Sequence, residues 1–140
     1  ARAIVLALGR VGAQVVVAAR RPDPARDAAA LAPDSRSIDL EAAGAALAET
    51  DILVNATPLG MDGDGLPFPA SALHPGLFVA DSVYHPLETP LLRAARAAGA
   101  RGTNGLGMLV QQAAIAFATW TGQSAPLDVM RRAAEAGPSV

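Results

Sequence analysis

Arginine side chains that could bind a phosphate group follow a predicted strand directly. Arg20 and Arg21 come after the β-branched segment at residues 14–19, which we expect to be a buried strand, and Arg26 lies about one helical turn further on. A guanidinium group presents a planar fork of N–H donors that matches the oxygens of a phosphate. An ordinary pair of solvated arginines explains the same pattern. Phosphate binding is favoured only if the fold places a ligand at this strand end.

A second candidate site is the segment at residues 55–61, which has the sequence Asn-Ala-Thr-Pro-Leu-Gly-Met. It follows a short apolar strand predicted at residues 51–54, which we expect to be buried on both faces. Ligands of parallel sheets bind beyond the carboxyl ends of the strands, where small residues let a flat ring approach the main chain. The same residue types are also common in ordinary turns. The residues concerned are Asn55, Ala56, Thr57 and Pro58.

The segment Asp81-Ser82-Val83-Tyr84 ends another predicted strand. A tyrosine hydroxyl at a strand's carboxyl end can hydrogen-bond a polar substrate, and it can equally cover the edge of the core with its oxygen in water. The two histidines, His74 and His85, are interpreted as exposed loop residues. We therefore predict no metal site, and we assign no catalytic residue within this chain.

A glycine-rich turn that includes Gly105 precedes a long apolar helix predicted at residues 106–120. Glycine allows the main chain to approach a flat ring, and the start of a helix leaves N–H groups free for a polar ligand. Met108 and Gln112 are four residues apart and therefore share one helix face. Gln112 thus points the same way as the turn, whereas Gln111 fits a surface position better.

The elements that must position these residues alternate between strand and helix. Strands are predicted at residues 14–19, 36–40, 51–54 and 77–81, with a further short segment at 101–104. Helices are predicted at residues 1–12, 23–31, 41–49, 89–98, 106–120 and 128–136, and a Gly/Pro-rich loop at 62–71. This alternation indicates an α/β fold with a doubly wound parallel sheet. Trp120 is expected to pack against the body of the domain.

The first predicted helix has no N-cap residue and no preceding strand, so we expect the chain to be a fragment. In a doubly wound sheet the first strand lies centrally. Its loss would leave unpaired main-chain groups in the middle of the sheet, each costing about 1–3 kcal/mol. The sequence therefore predicts one domain, residues 1–140, that lacks its N-terminal strand.

Composition argues against several classes of function. The 140 residues, 51% of them hydrophobic, suffice for one compact core. A net charge of −2 provides no basic surface for nucleic acid or an anionic membrane, and no apolar run is long enough to span a bilayer. The chain contains no cysteine, which excludes disulfides and thiolate chemistry and suits a cytoplasmic location.

Taken in order, these segments resemble the C-terminal, cofactor-binding domain of the shikimate dehydrogenase family. Residues 1–4 are similar to the end of its GAGGAxRA segment, residues 19–21 correspond to its Asn-Arg-Thr segment, and residues 55–61 to its NAT-P-x-GM motif. Further matches lie at residues 81–84, 89–92, 104–109, 112 and 120–122. The likeness covers essentially the whole chain and implies a Rossmann-like fold truncated at its N-terminal strand.

The resemblance implies reversible hydride transfer between NADPH and 3-dehydroshikimate, which gives shikimate for the synthesis of chorismate and aromatic amino acids. By position, NADP would contact Ala19, Arg20, Arg21, Asn55, Ala56, Thr57, Pro58, Ser82, Gly105 and Met108, and shikimate would contact Tyr84 and Gln112. Ala19 and Arg21 stand where the family usually has Asn and Thr. Ser82 stands where many members carry a bulkier apolar residue.

In the family, a Lys and an Asp of an N-terminal substrate domain transfer the protons, and this chain contains no lysine. The resemblance therefore implies that the substrate domain lies upstream and that these residues alone are inactive. A homodimer is a further expectation. Other interpretations stay open, namely a quinate/shikimate dehydrogenase that uses NAD or NADP, a methylenetetrahydrofolate dehydrogenase, a degenerate copy, and a non-catalytic dinucleotide sensor.

Overall fold

The computed structural model of the protein describes residues 1–63 and 65–137. Residue 64, in the predicted loop at 62–71, and residues 138–140, at the end of the predicted domain, lie outside the described residues. The helices are α1 Arg2–Arg10, α2 Pro22–Ala29, α3 Ala43–Ala46, α4 Pro90–Ala97, α5 Leu106–Thr121 and α6 Leu127–Ala136. The strands are β1 Val16–Ala19, β2 Arg36–Asp39, β3 Ile52–Asn55, β4 Phe78–Asp81 and β5 Arg101–Thr103. Short 3-10 helices occupy Leu40–Ala42, Leu47–Glu49 and Ala70–Ala72.

The strands form two parallel sheets. In the first, β1 pairs with β2, and Ala19 lies opposite Asp39. In the second, the order is β3-β4-β5, and Asn55 lies opposite Asp81. Within the described part of the chain no strand pairs with the second edge of β1 or with the second edge of β3. The expected α/β class with parallel strands joined by helices is confirmed.

Strands β1 and β3 were expected to be buried, and this expectation was wrong. Val16 is 40% exposed and Ile52 is 51% exposed, whereas Val79 in β4 is completely buried. The difference follows from pairing, because β4 has a neighbour on each side while β1 and β3 have one neighbour each among the described residues. The main-chain groups along their other edges lack sheet partners there.

The core is centred on β4 and on the helix that follows it. Leu91 and Ala95 in α4 are four residues apart, so both face the sheet, where they pack with Leu77 and Val79. Thr89 begins this helix as its N-cap, with its hydroxyl accepting a hydrogen bond from the Leu92 N–H at 3.2 Å. The proline after it, at the first helical position, has no N–H that the cap would need to satisfy.

Helix α5 is apolar on nearly all sides but only its first half is covered. Val110 and Ala114 are buried, while Ile115 is 68% exposed. Trp120 is 83% exposed, so the expectation that it packs against the domain was wrong. The helix leaves the sheet and packs along α6 instead, which carries no buried residue. No helix in residues 1–63 or 65–137 is long and apolar enough to cross a membrane.

Candidate cofactor site

The sites inferred from sequence all follow the carboxyl ends of parallel strands. Arg20 follows β1, Asn55 ends β3, Ser82 follows β4, and Gly105 follows β5 by two residues. Carboxyl ends of parallel strands meet at one edge of a sheet, which is where doubly wound folds bind their ligands. Segments that are distant in sequence are therefore brought to the same side of the molecule.

Ser82 and Gly105, which the resemblance assigned to the cofactor, are in direct contact. The Gly105 N–H donates a hydrogen bond to the Val83 carbonyl oxygen at 2.9 Å. A Cβ added to Gly105 would lie 2.1 Å from the Ser82 carbonyl oxygen, which is far inside van der Waals contact. Gly105 has an ordinary φ of −76°, so the requirement for glycine here is purely one of space.

The Asn55 side chain shapes the loop that follows it. Its Oδ1 accepts hydrogen bonds from the Thr57 N–H at 3.1 Å and the Thr57 hydroxyl at 2.7 Å, and its Nδ2 donates to the Leu59 carbonyl at 3.2 Å. The Thr57 hydroxyl also accepts from the Leu59 N–H at 3.2 Å. The polar groups of Asn55 and Thr57 are thus used within the loop, and residues 56–58 are left exposed as its outer surface.

A buried carboxylate joins this loop to the next strand and helix. Asp81 Oδ1 accepts from Asn55 Nδ2 at 2.8 Å and from the Val83 N–H at 3.1 Å, and its Oδ2 accepts from the Thr89 hydroxyl at 2.6 Å. Asp81 is 2% exposed and Thr89 is completely buried. From sequence, Asp81 marked only the end of a predicted strand. The available signal was an acidic residue closing an otherwise apolar strand, because a buried carboxylate requires hydrogen-bond partners.

A shallow cavity of about 270 Å³ lies at the ends of β1 and β2. Its lining residues are Ala19, Arg20, Asp39, Leu40, Glu41 and Pro67. Of the arginines expected to surround a phosphate only Arg20 lines this cavity, since Arg26 pairs with Asp23 and Arg21 begins α2 at the surface. The contribution of Arg21 and Arg26 to a phosphate site stays a prediction.

Two carboxylates in the same cavity, Asp39 and Glu41, were missed from sequence. Asp39 ends β2 and Glu41 follows it, and both lie near the end of β1 because Ala19 and Asp39 are opposite each other in the parallel register. An acid ending the neighbouring strand is the signal that could have revealed them. The cavity thus combines one guanidinium group with two exposed carboxylates.

Of the residues assigned to the substrate, Tyr84 follows Ser82 by two residues and Gln112 lies in the second turn of α5. Tyr84 is 44% exposed, and both Met108 and Gln112 on α5 are exposed. Asn104 holds their two segments together, because its Nδ2 donates to the Leu87 carbonyl at 2.9 Å and its Oδ1 accepts from the Leu106 N–H at 3.1 Å. Within the described ranges no group of His, Cys, Asp and Glu is arranged to hold a metal ion.

Comparison with known proteins identifies the family. The family model described as Shikimate 5'-dehydrogenase C-terminal domain matches residues 105–135. The shikimate dehydrogenase (NADP+) of Haloarcula marismortui is 44% identical over 92% of this chain, which covers 49% of that relative. The chain therefore spans about half the length of the curated relatives that it matches.

Solved structures of similar proteins have the same fold. Quinate dehydrogenase from Corynebacterium glutamicum in complex with NAD matches with a TM-score of 0.87 and 33% identity over 94% of this chain and 49% of its own. Shikimate 5-dehydrogenase from Thermus thermophilus, in complex with NADP(H) and shikimate, matches with a TM-score of 0.81 and 37% identity over 96% of this chain and 50% of its own. The sequence and structural matches, together with the hydrogen bonds that link the carboxyl ends of β3, β4 and β5, show that this chain belongs to the shikimate dehydrogenase family.

Proposed function

We propose that this chain is the cofactor-binding part of an NADP-dependent shikimate dehydrogenase, which interconverts 3-dehydroshikimate and shikimate. The observation that carries the proposal is the buried contact of Gly105 with the Ser82 main chain. This contact lies at the carboxyl ends of the strands, next to the 55–61 loop, because the Ser82 N–H donates to the Asn55 carbonyl at 2.9 Å. We assign the flat nicotinamide ring to this place, since glycine allows close approach of a ring to the main chain, and similar proteins are named as NADP-dependent.

Most of the candidate residues have a defined part in this proposal. Arg20 binds the 2′-phosphate of NADP at the end of β1, and residues 56–58 line the path of the cofactor. Ser82, Gly105 and Met108 hold the nicotinamide, which supplies the hydride when the cofactor is bound. The Tyr84 hydroxyl and the Gln112 amide hydrogen-bond the polar groups of the substrate, so the chain orients both reactants for hydride transfer.

Proton transfer is assigned to a second domain, which we place upstream. The exposed apolar side chains on α5, including Ile115 and Trp120, support a further folded unit against this helix. So does the length of the relatives, of which the chain covers about half. We also expect a cytoplasmic enzyme and a homodimer, and gel filtration of the protein as its organism makes it would test the dimer.

We further propose that the domain takes up one more parallel strand between β1 and β3. Both strands have one sheet edge without a strand partner in the described residues, and Val16 and Ile52 on them are exposed. A strand between them would join the two sheets into the order β2-β1-new strand-β3-β4-β5. That order has the first strand in the centre, as in doubly wound dinucleotide-binding folds.

The test is shikimate-dependent NADPH formation, followed by absorbance. The protein as its organism makes it should catalyse the reaction, whereas residues 1–140 produced alone should not. Turnover by the isolated 140 residues would overturn the division of labour between two domains. Absence of NADP(H) binding by the natural protein would overturn the proposed function itself.

A related dehydrogenase that uses NAD is the second candidate function. The observation that favours it is the pair of carboxylates, Asp39 and Glu41, in the cavity with Arg20. Carboxylates accept hydrogen bonds from ribose hydroxyls and repel a 2′-phosphate. The ratio of kcat/KM for NADP to that for NAD, measured with shikimate and with quinate, decides between the two. A ratio well above one supports the first proposal, and a ratio below one supports the second.

A further inference from the structure

We propose that Asp81 is a positioning residue that fixes the nicotinamide end of the site by setting the orientation of the Asn55 side chain. This inference rests on the proposed function and assigns a role to a buried acid that the proposed chemistry does not use. Asp81 itself is buried. It acts through Asn55, Val83 and Thr89, which belong to three different segments of the site.

In its side-chain hydrogen bonds with the described residues, Asp81 acts only as an acceptor. All three of its hydrogen bonds are accepted, two at Oδ1 and one at Oδ2. The Thr89 hydroxyl donates to Asp81 Oδ2, and its oxygen accepts from the Leu92 N–H. The Val83 N–H can only donate. A group that accepts at both oxygens is therefore required, and a carboxylate meets this requirement.

The acceptor-only role of Asp81 determines which way the Asn55 carboxamide faces. With only acceptors on Asp81, Asn55 must turn Nδ2 toward it and Oδ1 toward Thr57. In that orientation Nδ2 also reaches the Leu59 carbonyl, and Oδ1 also receives the Thr57 N–H. A flipped carboxamide would place an N–H₂ group against the Thr57 N–H and an oxygen against the Leu59 carbonyl. Asp81 thus selects the one amide orientation in which the 55–59 turn is closed.

The same carboxylate ties this turn to the opposite side of the site. Val83 accepts a hydrogen bond from Gly105 at its carbonyl while its N–H donates to Asp81, so the Ser82–Gly105 contact and the 55–59 turn share one fixed point. Gly60, at φ 97°, completes the packing, since a Cβ there would lie 3.4 Å from the ring of Pro90. The loop that lines the cofactor path and the segment that carries Tyr84 are therefore held in a fixed position relative to each other before any ligand binds.

A swap of the two side chains tests the inference. Asn55→Asp places a carboxylate against Asp81 and removes the donor, so we expect roughly a tenfold or greater loss of NADPH affinity, measured by the fluorescence of the reduced nicotinamide. Adding Asp81→Asn to Asn55→Asp removes the repulsion between the two carboxylates and returns one donor to the pair, but the Val83 N–H then loses its acceptor, so this second change should recover only part of that loss. As a matched control, Asp51→Asn changes an exposed acid before the opposite end of β3 and should recover nothing when added to Asn55→Asp.

The unfolding free energy of each variant is measured beside its NADPH affinity. Positioning predicts that Asn55 and Asp81 are coupled in both quantities, and that kcat falls in Asn55→Asp even at saturating NADPH. Coupling in stability alone, with NADPH affinity and kcat unchanged in the folded variants, would show a merely structural network and overturn the inference. An equal affinity loss in the single variant Asn55→Asp and in the double variant that adds Asp81→Asn would also overturn it. Failure of the unsubstituted protein to bind NADPH would instead refute the proposed function.

Discussion

The two ends of the proposed cofactor site are built in opposite ways. At the end of β1 and β2, charged side chains surround a shallow cavity, and Arg20, Asp39 and Glu41 are all exposed to solvent. At the end of β3 and β4, Asp81 and Thr89 are buried and every contact has a fixed direction. In the proposal, the first end, named the adenosine end, binds the cofactor through charged groups exposed to water. The second end, named the nicotinamide end, presents a shape held by hydrogen bonds.

The contrast teaches where each end tolerates change. Exposed charges interact weakly, because water and salt screen them, and their contributions are close to additive. In a buried network, removal of one member leaves its partners without a hydrogen bond and without access to water, so the loss of stability extends to the remaining members. Substitutions at the nicotinamide end should therefore have large, coupled effects, and those at the adenosine end should have small effects that depend on salt.

The largest effect is expected from Gly105→Ala. Its Cβ would lie 2.1 Å from the Ser82 carbonyl oxygen, so the turn between β5 and α5 must move. We expect NADPH affinity to fall by about a hundredfold or more, or the melting temperature to drop by several degrees, as for other overpacked buried sites. Gly107→Ala is the matched control, because a Cβ on Gly107 meets nothing within 4 Å. That variant should gain about 0.5–1 kcal/mol of stability, since alanine favours a helix over glycine. Equal behaviour of the two variants would contradict the tight contact.

Removing the Thr89 hydroxyl should have the next largest effect. Thr89→Val keeps the shape but removes the helix cap and one hydrogen bond to Asp81, which should cost about 1–3 kcal/mol in urea unfolding. Thr119→Val is the control, since Thr119 bonds only the Ile115 carbonyl on an exposed turn of α5. We expect less than about 0.5 kcal/mol there. A Thr89→Val protein as stable as Thr119→Val would show that the buried network contributes little.

A smaller effect is expected from Arg20→Gln at the adenosine end. Loss of the guanidinium group should weaken NADP binding by about tenfold at low salt and leave NAD binding nearly unchanged. The difference should shrink as ionic strength rises. Arg26→Gln is the control, because Arg26 pairs with Asp23 outside the cavity and should not alter the NADP to NAD ratio. If both arginine variants lowered NADP affinity equally, the phosphate site would lie between them instead.

The smallest effect is expected from neutralising the carboxylates of the cavity. Asp39→Asn and Glu41→Gln should each raise the NADP to NAD ratio by roughly twofold to fivefold, as for exposed charges near a phosphate. Asp27→Asn, an exposed acid of α2 that does not line the cavity, should leave the ratio unchanged. If Asp39 and Glu41 instead hold the adenosine that both cofactors share, the two affinities will fall together and the ratio will stay constant.

Much of the fold was predictable, because hydrophobic runs and glycines mark the elements directly. The strand predicted at residues 77–81 is Phe78–Asp81, and the helix predicted at 106–120 is Leu106–Thr121. The helix predicted at 41–49 is interrupted, with the α-helical turn of α3 between two 3-10 segments. Alanine and glycine there give little side-chain pattern, so packing decides the local hydrogen bonding.

The site was predictable only where one segment carries its own signal. Residues 55–61 and Gly105 have recognisable local sequences at the ends of predicted elements. Asp39 lies near Arg20 because of the register between β1 and β2, and Asp81 lies next to Asn55 because of the register between β3 and β4. Neither pairing can be inferred from a single segment of the sequence. Burial of β1 and β3 was overestimated for a similar reason, since exposure depends on which neighbours a strand finds.

The sequence by itself determined the element order, the parallel α/β class, the family, and the glycine and proline positions that begin or end its helices. These follow from local periodicity and main-chain sterics, which each short segment carries alone. Tertiary structure alone decided that Asp81 is a buried acceptor, that Arg20 shares its cavity with two acids, and that Trp120 is exposed. The physical reason is that hydrogen-bond partners, charge neighbours and solvent access are set by residues far away in the chain, which meet only when the strands pair.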